Sequence, residues 1–253
     1  MNISQPATRH LPLLRTLWKE TFDDTDYFLD AFFHNVFSFD RCRCVFEDDL
    51  PVSVLYWLDC EYEGQPIAYL YAIATAVSHR GQGLCKQLMT DTHKHLKNLG
   101  YQGVLLSPEG TDLFSFYAQL GYKTTCYHQE FSCACGEQTI FPRKVSSTEY
   151  ASLRRKYLPS GSVLQEGENL VLLQAEYDFY IGEDFLLVAQ LTDDGLYGLE
   201  LLGNTNTAPG LVQYFKCSKG HFRIPGFSKP FAMYLPLNNT IQAPPAYLGF
   251  AFD

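Results

Sequence analysis

Apolar residues recur at helical spacing at Leu14, Leu17, Trp18 and Phe22, which predicts a helix over residues 11–22. Asp23-Asp24-Thr25 interrupts it, and Asp24 or Thr25 can cap a second helix from Asp26 to about Phe37. Tyr27, Phe28, Leu29, Phe32, Phe33, Val36 and Phe37 run along that helix as an aromatic stripe, which reads as core more readily than as a ligand box. Apolar runs then predict three strands, over 41–46, 52–62 and 68–77, parted by Glu47-Asp48-Asp49 and by Glu63-Gly64-Gln65-Pro66. The third strand carries no charge and runs into Arg80-Gly81-Gln82-Gly83-Leu84-Cys85. Leu84, Leu88, Leu96 and Leu99, with Met89 and Thr92 between them, next fall on one face of a helix that Gly100 ends. His93, Lys94, His95 and Lys97 sit toward the end of that helix, where cations suit its dipole.

A buried strand over 103–107 follows, then a helix from Thr111 or Asp112 to Leu120, stopped by Gly121, and a strand over 122–131. Residues 132–138, SCACGEQ, are small and polar and read as a linker. Beyond it the pattern predicts a helix over 147–157, capped by Ser146 or Ser147, and strands over 169–179, 185–191 and 196–202. A helix over 209–215 and strands over 221–224, 230–235 and 247–252 complete the chain. The expected division is a domain over 1–131 and a second, smaller α+β domain over 139–253. Strand-to-helix order in the second half echoes the first, but no Arg-x-x-Gly-x-Gly occurs there. It reads either as a degenerate copy of the first fold or as an unrelated small α+β domain.

The turn at 80–85 carries the chemistry. A helix N-terminus presents unpaired backbone N–H groups and partial positive charge, and so receives anions. Gly81 and Gly83 lack Cβ atoms, which lets a phosphate approach the main chain, and Arg80 adds a fixed charge. No Gly-Lys-Ser/Thr follows, so this is no Walker loop, and Lys86 stands where the third glycine of a dinucleotide fingerprint belongs.

The motif Arg80-Gly81-Gln82-Gly83-Leu84-Cys85 resembles the acetyl-CoA pyrophosphate signature of the GNAT superfamily of N-acetyltransferases, with Cys85 at a position where that family prefers Gly or Ala. Phe116 to Tyr122, FYAQLGY, is similar to the same family's second signature. Their coincidence in order is far more specific than either alone. The resemblance covers roughly residues 10–131 and implies a GNAT acyl-CoA N-acyltransferase fold, an α+β mixed sheet flanked by helices. It implies that acetyl-CoA lays its diphosphate on Arg80, Gly81, Gln82, Gly83, Leu84, Cys85 and Lys86 and its arm beside Ile73 to Thr75. A backbone N–H near Thr75 then receives the acetyl oxygen, and Tyr117 protonates the departing sulfur.

The activity so implied is N-acetyltransfer to a primary amine of a small molecule or peptide by direct attack. The alternative is a non-catalytic acyl-CoA-binding or sensor module. A general base is not evident. The strand before the turn has no carboxylate, and the candidates are Asp59, Glu61, Asp23, Asp24, His79 and the terminal Asp253. Covalent transfer through Cys85 is disfavoured, because a thiol at that position packs under the cofactor.

With 253 residues there is room for one large domain or two small ones, and 46% hydrophobic with 19% charged residues is ordinary for a packed soluble protein. A net charge of −9 argues against nucleic acid and is compatible with a cationic acceptor. No signal peptide or membrane span is evident, so the expected compartment is cytoplasmic, and the eight cysteines are expected as reduced thiols. The pairs Cys42/Cys44 and Cys133/Cys135 are spaced C-x-C, unlike the C-x2-4-C of zinc sites, so no metal is expected.

Overall fold

The structure is a computed structural model and describes residues 1–252. Its backbone falls into two compact units. One is Met1–Lys123 with Met233–Pro244, and the other is Thr124–Ala232 with the residues from Pro245 on.

The first unit starts with β1 (Asn2–Ser4), α1 (Leu11–Thr21) and α2 (Asp26–Asn35). Thr25 caps α2, its Oγ1 accepting from the Phe28 amide at 3.2 Å. Three antiparallel strands follow, β2 (Cys42–Glu47), β3 (Leu50–Tyr62) and β4 (Gln65–Thr75), with β1 on the outer edge beside β2. Then come α3 (Leu84–Asn98), β5 (Gly103–Leu106) and α4 (Thr111–Gln119). Gly110 precedes α4 without a side-chain cap, so the expected capping role of Thr111 or Asp112 is not realised. Both lie inside the first turn, where Asp112 suits the dipole instead.

Alternation along β4 sorts its two faces. Ala68 and Leu70 join Leu84, Leu88, Met89 and Leu96 of α3 in one core. Tyr71 faces α1, where the Trp18 ring lies 5.6 Å from Tyr71, 5.4 Å from Tyr56 and 4.7 Å from Phe32. Phe28, Leu29, Phe32 and Val36 of the aromatic stripe are thus core, as the pattern predicts, while Tyr27 at its start is exposed.

The second unit holds β6 (Lys123–Ala134), β7 (Arg143–Val145), α5 (Ser147–Tyr157) and α6 (Glu168–Leu173). After them come β8 (Asp178–Ile181), β9 (Phe185–Thr192), β10 (Gly195–Gly203), α7 (Ala208–Tyr214), β11 (Lys219–Pro225) and β12 (Lys229–Pro236). From β7 to β11 it repeats the order of β1 to β5: strand, two helices, three antiparallel strands, a helix, and a strand parallel to the one before it. β6 lies antiparallel to β11. The end of β12, Met233–Pro236, belongs to the first unit, antiparallel to β5. The boundary expected at 131 falls within β6, and residues 132–134 of the expected linker are strand.

Two expectations are corrected. Asn169–Phe179 is not one strand: Glu168–Leu173 is helix, and β8 starts only at Asp178. Its run of Leu and Val fits a buried turn of helix as well as a strand, and Leu170, Leu172 and Leu173 are all buried. Residues 247–252 are likewise not a strand, beyond one bridge from Tyr247 to Ser162. Their apolar side chains fill the core of the second unit, and the Gln165 amide pairs with both the N–H and the C=O of Phe250 at 2.9 and 2.8 Å.

A buried ion pair holds α5 to β10. Arg154 donates through Nε and Nη2 to the two oxygens of Glu200, each at 2.8 Å, and Tyr150 and Tyr247 each donate a hydroxyl to it at 3.0 Å. Gly249 lies against this pair, since a Cβ there would come within 2.0 Å of Glu200 Oε1. Glu200→Ala is expected to strand the guanidinium and cost about 3–5 kcal/mol. Urea unfolding of the variant measures it, and Glu200→Gln, which keeps the acceptor oxygen, is expected to cost less.

Candidate active site

β4 leaves the sheet by way of a short 3₁₀ turn, Val77–His79, into Arg80. Gly81 and Gly83 both take φ +76°, and a Cβ on either would meet no atom within 4 Å. The left-handed backbone, not crowding, therefore requires glycine here. Arg80 to Gly83 are all exposed, so no side chain plugs the bend. The first main-chain bond of α3 runs from Gln87 N to Gly83 O at 3.1 Å, which leaves the amides of Leu84, Cys85 and Lys86 without helical acceptors.

Side chains fix this loop from both ends. Arg80 Nε donates to the Thr75 carbonyl at 3.0 Å. His79 lies 2.9 Å from Glu47 Oε2 through Nε2 and 2.8 Å from Ser78 Oγ through Nδ1, which ties the turn to the end of β2.

The strand feeding the loop is deformed. Val54 pairs with Ala74 and Tyr56 with Tyr71, so β4 carries one more residue than β3 between those pairs, and Ala72 takes φ +46°. Ser53, fully buried, donates to the Ala74 carbonyl at 3.0 Å and lies 2.8 Å from Thr75 Oγ1. β4 pairs with β5 at Ile67, Ala68 and Tyr69, opposite Gly103, Val104 and Leu105, and from Leu70 onward the two strands part. Ile73 and Thr75, both half-buried, lie on the parted stretch.

Tyr117 of α4 is 8% exposed and packs in the same core as Leu84, with Cys85 against it. Its hydroxyl has no protein hydrogen-bond partner among the described residues. Burial holds the phenol well above its ordinary pKa, and the neighbouring Cys85 adds to the rise. Burial also pushes the Cys85 thiol up to about 11. Both groups are protonated near neutrality: Tyr117 has a proton to give, and Cys85 is no thiolate.

Behind Tyr117 stands a pair that no sequence pattern singles out. Tyr122 OH lies 2.7 Å from His93 Nε2, and the Tyr122 ring lies edge-on to Tyr117 at 5.9 Å. Its position toward the end of α3 puts His93 among cations that suit the helix dipole. Burial instead lowers its pKa to about 4, so it is a neutral imidazole.

The candidate bases are variously engaged. Asp24 accepts from the Trp18 indole at 2.7 Å, Asp59 binds Arg41 at 3.0 Å and Tyr101, and His79 is held as described. Asp23 and Glu61 are exposed, and Asp253 lies outside the described residues. All eight cysteines are free thiols, Cys42 and Cys44 having their sulfurs 3.9 Å apart. No helix among the described residues is long and apolar enough to cross a membrane.

Residues 3–125 match the family model for an acetyltransferase (GNAT) domain. No curated protein matches the chain. Among solved structures it is similar to a GCN5-related N-acetyltransferase from Kribbella flavida, at 18% identity and TM-score 0.69 over 92% of this chain and 70% of that one. A GCN5-related N-acetyltransferase from Anabaena variabilis is similar at 13% identity and TM-score 0.73, over 94% of this chain and 73% of that one. A conserved protein of unknown function from Enterococcus faecalis, a probable N-acyltransferase, is similar at 15% identity and TM-score 0.71, over 93% and 72%. At these identities the likeness is one of fold.

The lowered His93 pKa has a measurable sign. Between pH 6.5 and about 4 the unfolded chain takes up a proton at this residue that the folded chain refuses, so stability falls as the pH drops through that window. His128, also lowered to about 4 chiefly by burial, acts in the same direction. His93→Gln is expected to flatten the dependence of Tm on pH between 6.5 and 4 and to leave it unchanged above pH 7.

Proposed function

Residues 3–125 being a GNAT acetyltransferase domain, we propose that this chain transfers an acetyl group from acetyl-CoA to a primary amine of a small molecule or peptide by direct attack. The observation that carries this reading is the exposed turn at Gly81 and Gly83, which opens onto the amides that start α3, at the end of a strand that has left its neighbour. A diphosphate fits the amides from Gly81 to Lys86, with Arg80 beside them. The extended arm of the cofactor fits beside Ile73 to Thr75, where β4 has lost its β5 partner.

The chemistry follows from the charges. An alkyl amine is mostly protonated near neutrality, with a pKa of about 10.4, and must shed a proton before it attacks. Its nitrogen then bonds to the thioester carbon, the oxyanion draws on β4 amides near Thr75, and the carbon–sulfur bond breaks. Tyr117 gives its proton to the leaving sulfur and recovers one from water, to which the amine has lost its own. A thiol near pKa 11 at Cys85 supports direct attack over an acetyl-cysteine intermediate.

The second unit we read as a GNAT-like copy that holds no cofactor. It repeats the strand pairings of the first, but four residues replace the eight that join β4 to α3, since β10 ends at Gly203 and α7 starts at Ala208. Two amides of that short turn are already taken, Asn206 N by Asn204 Oδ1 at 3.1 Å and Thr207 N by Asn204 O at 3.4 Å, and Pro209 has none to offer. The net charge of −9 supports a protein that does not bind nucleic acid. The free cysteines fit a reducing cytoplasm.

Acetyl-CoA is expected to raise Tm, and thiol release with an amine panel reads turnover. Tyr117→Phe is expected to lower kcat by about 100-fold with unchanged acetyl-CoA affinity. Gly81→Val is expected to weaken that affinity at least tenfold, because valine cannot hold the left-handed backbone without strain of about 1–2 kcal/mol. A Tm rise with acetyl-CoA but no thiol release with any amine marks a binding module instead.

A further inference from the structure

The residue pair behind Tyr117 has no part in the reaction proposed above, yet it is held by a 2.7 Å hydrogen bond and packs on Tyr117. Tyr122 is 2% exposed and His93 half-buried, and their 2.7 Å contact joins the last turn but one of α3 to the turn between α4 and β6. The main chain completes the link: Tyr122 N donates to Tyr117 O at 3.2 Å, and Leu120 N donates to the same oxygen at 3.0 Å. Tyr117 is therefore held from its own backbone by the turn that carries Tyr122, and from the side by the edge of the Tyr122 ring. The Phe116 ring closes on its other flank at 5.1 Å.

Two features make this more than packing. For packing alone, phenylalanine would fill the place of Tyr122 without a buried polar atom that needs His93 as its partner. And because His93 is neutral, its 2.7 Å hydrogen bond holds the Tyr122 oxygen in place without an ion in the core.

We propose that His93, acting through the Tyr122 hydroxyl, is a positioning residue that sets the orientation and acidity of Tyr117. This rests on the reading of Tyr117 as the proton donor. His93 touches no substrate. Its imidazole holds the Tyr122 hydroxyl in place, the Tyr122 ring fixes the tilt of the Tyr117 ring, and the dipole of the held hydroxyl is felt at the Tyr117 oxygen. The groups facing this cluster are Cys85 from the first turn of α3, Tyr117 and Phe116 from α4, and Tyr122 and His93 themselves.

The test needs no acceptor. In protein labelled with ¹³Cζ-tyrosine, the Tyr117 resonance is the one that Tyr117→Phe removes. Tyr122→Phe and His93→Leu are expected to shift that resonance and move the onset of its titration to a different pH. His93→Gln, which keeps a hydrogen-bonding group near the Nε2 position, is expected to restore both. If Tyr122→Phe and His93→Leu leave the Tyr117 resonance and its titration where they are in the parent, the proposal is overturned, whether or not the protein turns over.

Activity then separates this proposal from the one it rests on. If Tyr117→Phe abolishes transfer, Tyr122→Phe and His93→Leu are each expected to lower kcat by 3- to 30-fold with KM for acetyl-CoA unchanged, and Tyr122→Phe to have no further effect in the Tyr117→Phe background. A fall in Tm without a change in kcat overturns the positioning role and leaves Tyr117 as the donor. If Tyr117→Phe keeps full activity, the donor role itself falls.

Discussion

Everything at the candidate site depends on β4 leaving β5 after three residue pairs. The two strands are pulled apart by different partners. β4 stays with β3 for its whole length, while β5 is held on its far side by the end of β12, where Leu105 pairs with Tyr234 and Gly103 with Pro236. The Tyr234 ring lies so close over Gly103 that a Cβ there would come within 2.3 Å of it, which leaves β5 little freedom to follow β4. The extra residue at Ala72 turns β4 further, and the Ser53 hydroxyl pins the turned segment by its carbonyl. Backbone groups that would be spent on a ladder are left available.

The second unit repeats that parting, since β10 pairs with β11 only from Leu196 to Gly198, but the side chains beside it differ. The position on β10 that faces its first helix is held by Glu200, where the first unit has aromatic contacts between β4 and α1. An ion pair bound on all sides by two tyrosines and a glycine is rigid, and it leaves no room for an inserted ligand. Such a network is weak evidence for net stability, since well-packed apolar groups do as well. What it secures is one arrangement of α5, β10 and the segment around Tyr247. The shortened turn ahead of α7 points the same way, since its amides are used up by Asn204.

Much of the first unit was legible in the sequence because its elements are long and its punctuation unambiguous. Glycine at 81, 83, 100 and 121 takes positive φ where a turn or helix end was expected, and Thr25 and Ser146 cap the helices that follow them. Sequence could not show which face a short apolar run presents, so Asn169–Phe179 read as strand. Nor could it show that a histidine on a lysine-rich turn would be half-buried and uncharged: Lys94 is exposed, while the neighbouring His93 packs against Tyr122. The bulge at Ala72 left no sequence signal, since an alanine in a left-handed conformation is set by its neighbours and not by itself.

The return of Met233–Pro236 to the first unit has a bearing on how the chain is made. Met233 is 2% exposed, and Leu235 and Leu237 pack on the same core as Leu88 and Val104. A ribosome releases residues 1–123 long before those side chains exist outside its tunnel. During that interval β5 has a bare edge and the α3 core lacks one wall, so the amino-terminal portion waits in an unfinished state that chaperones can recognise. Synthesis must run past Leu237 before the early portion can close. For the same reason, a fragment that ends before Met233 lacks a piece of the first unit's core.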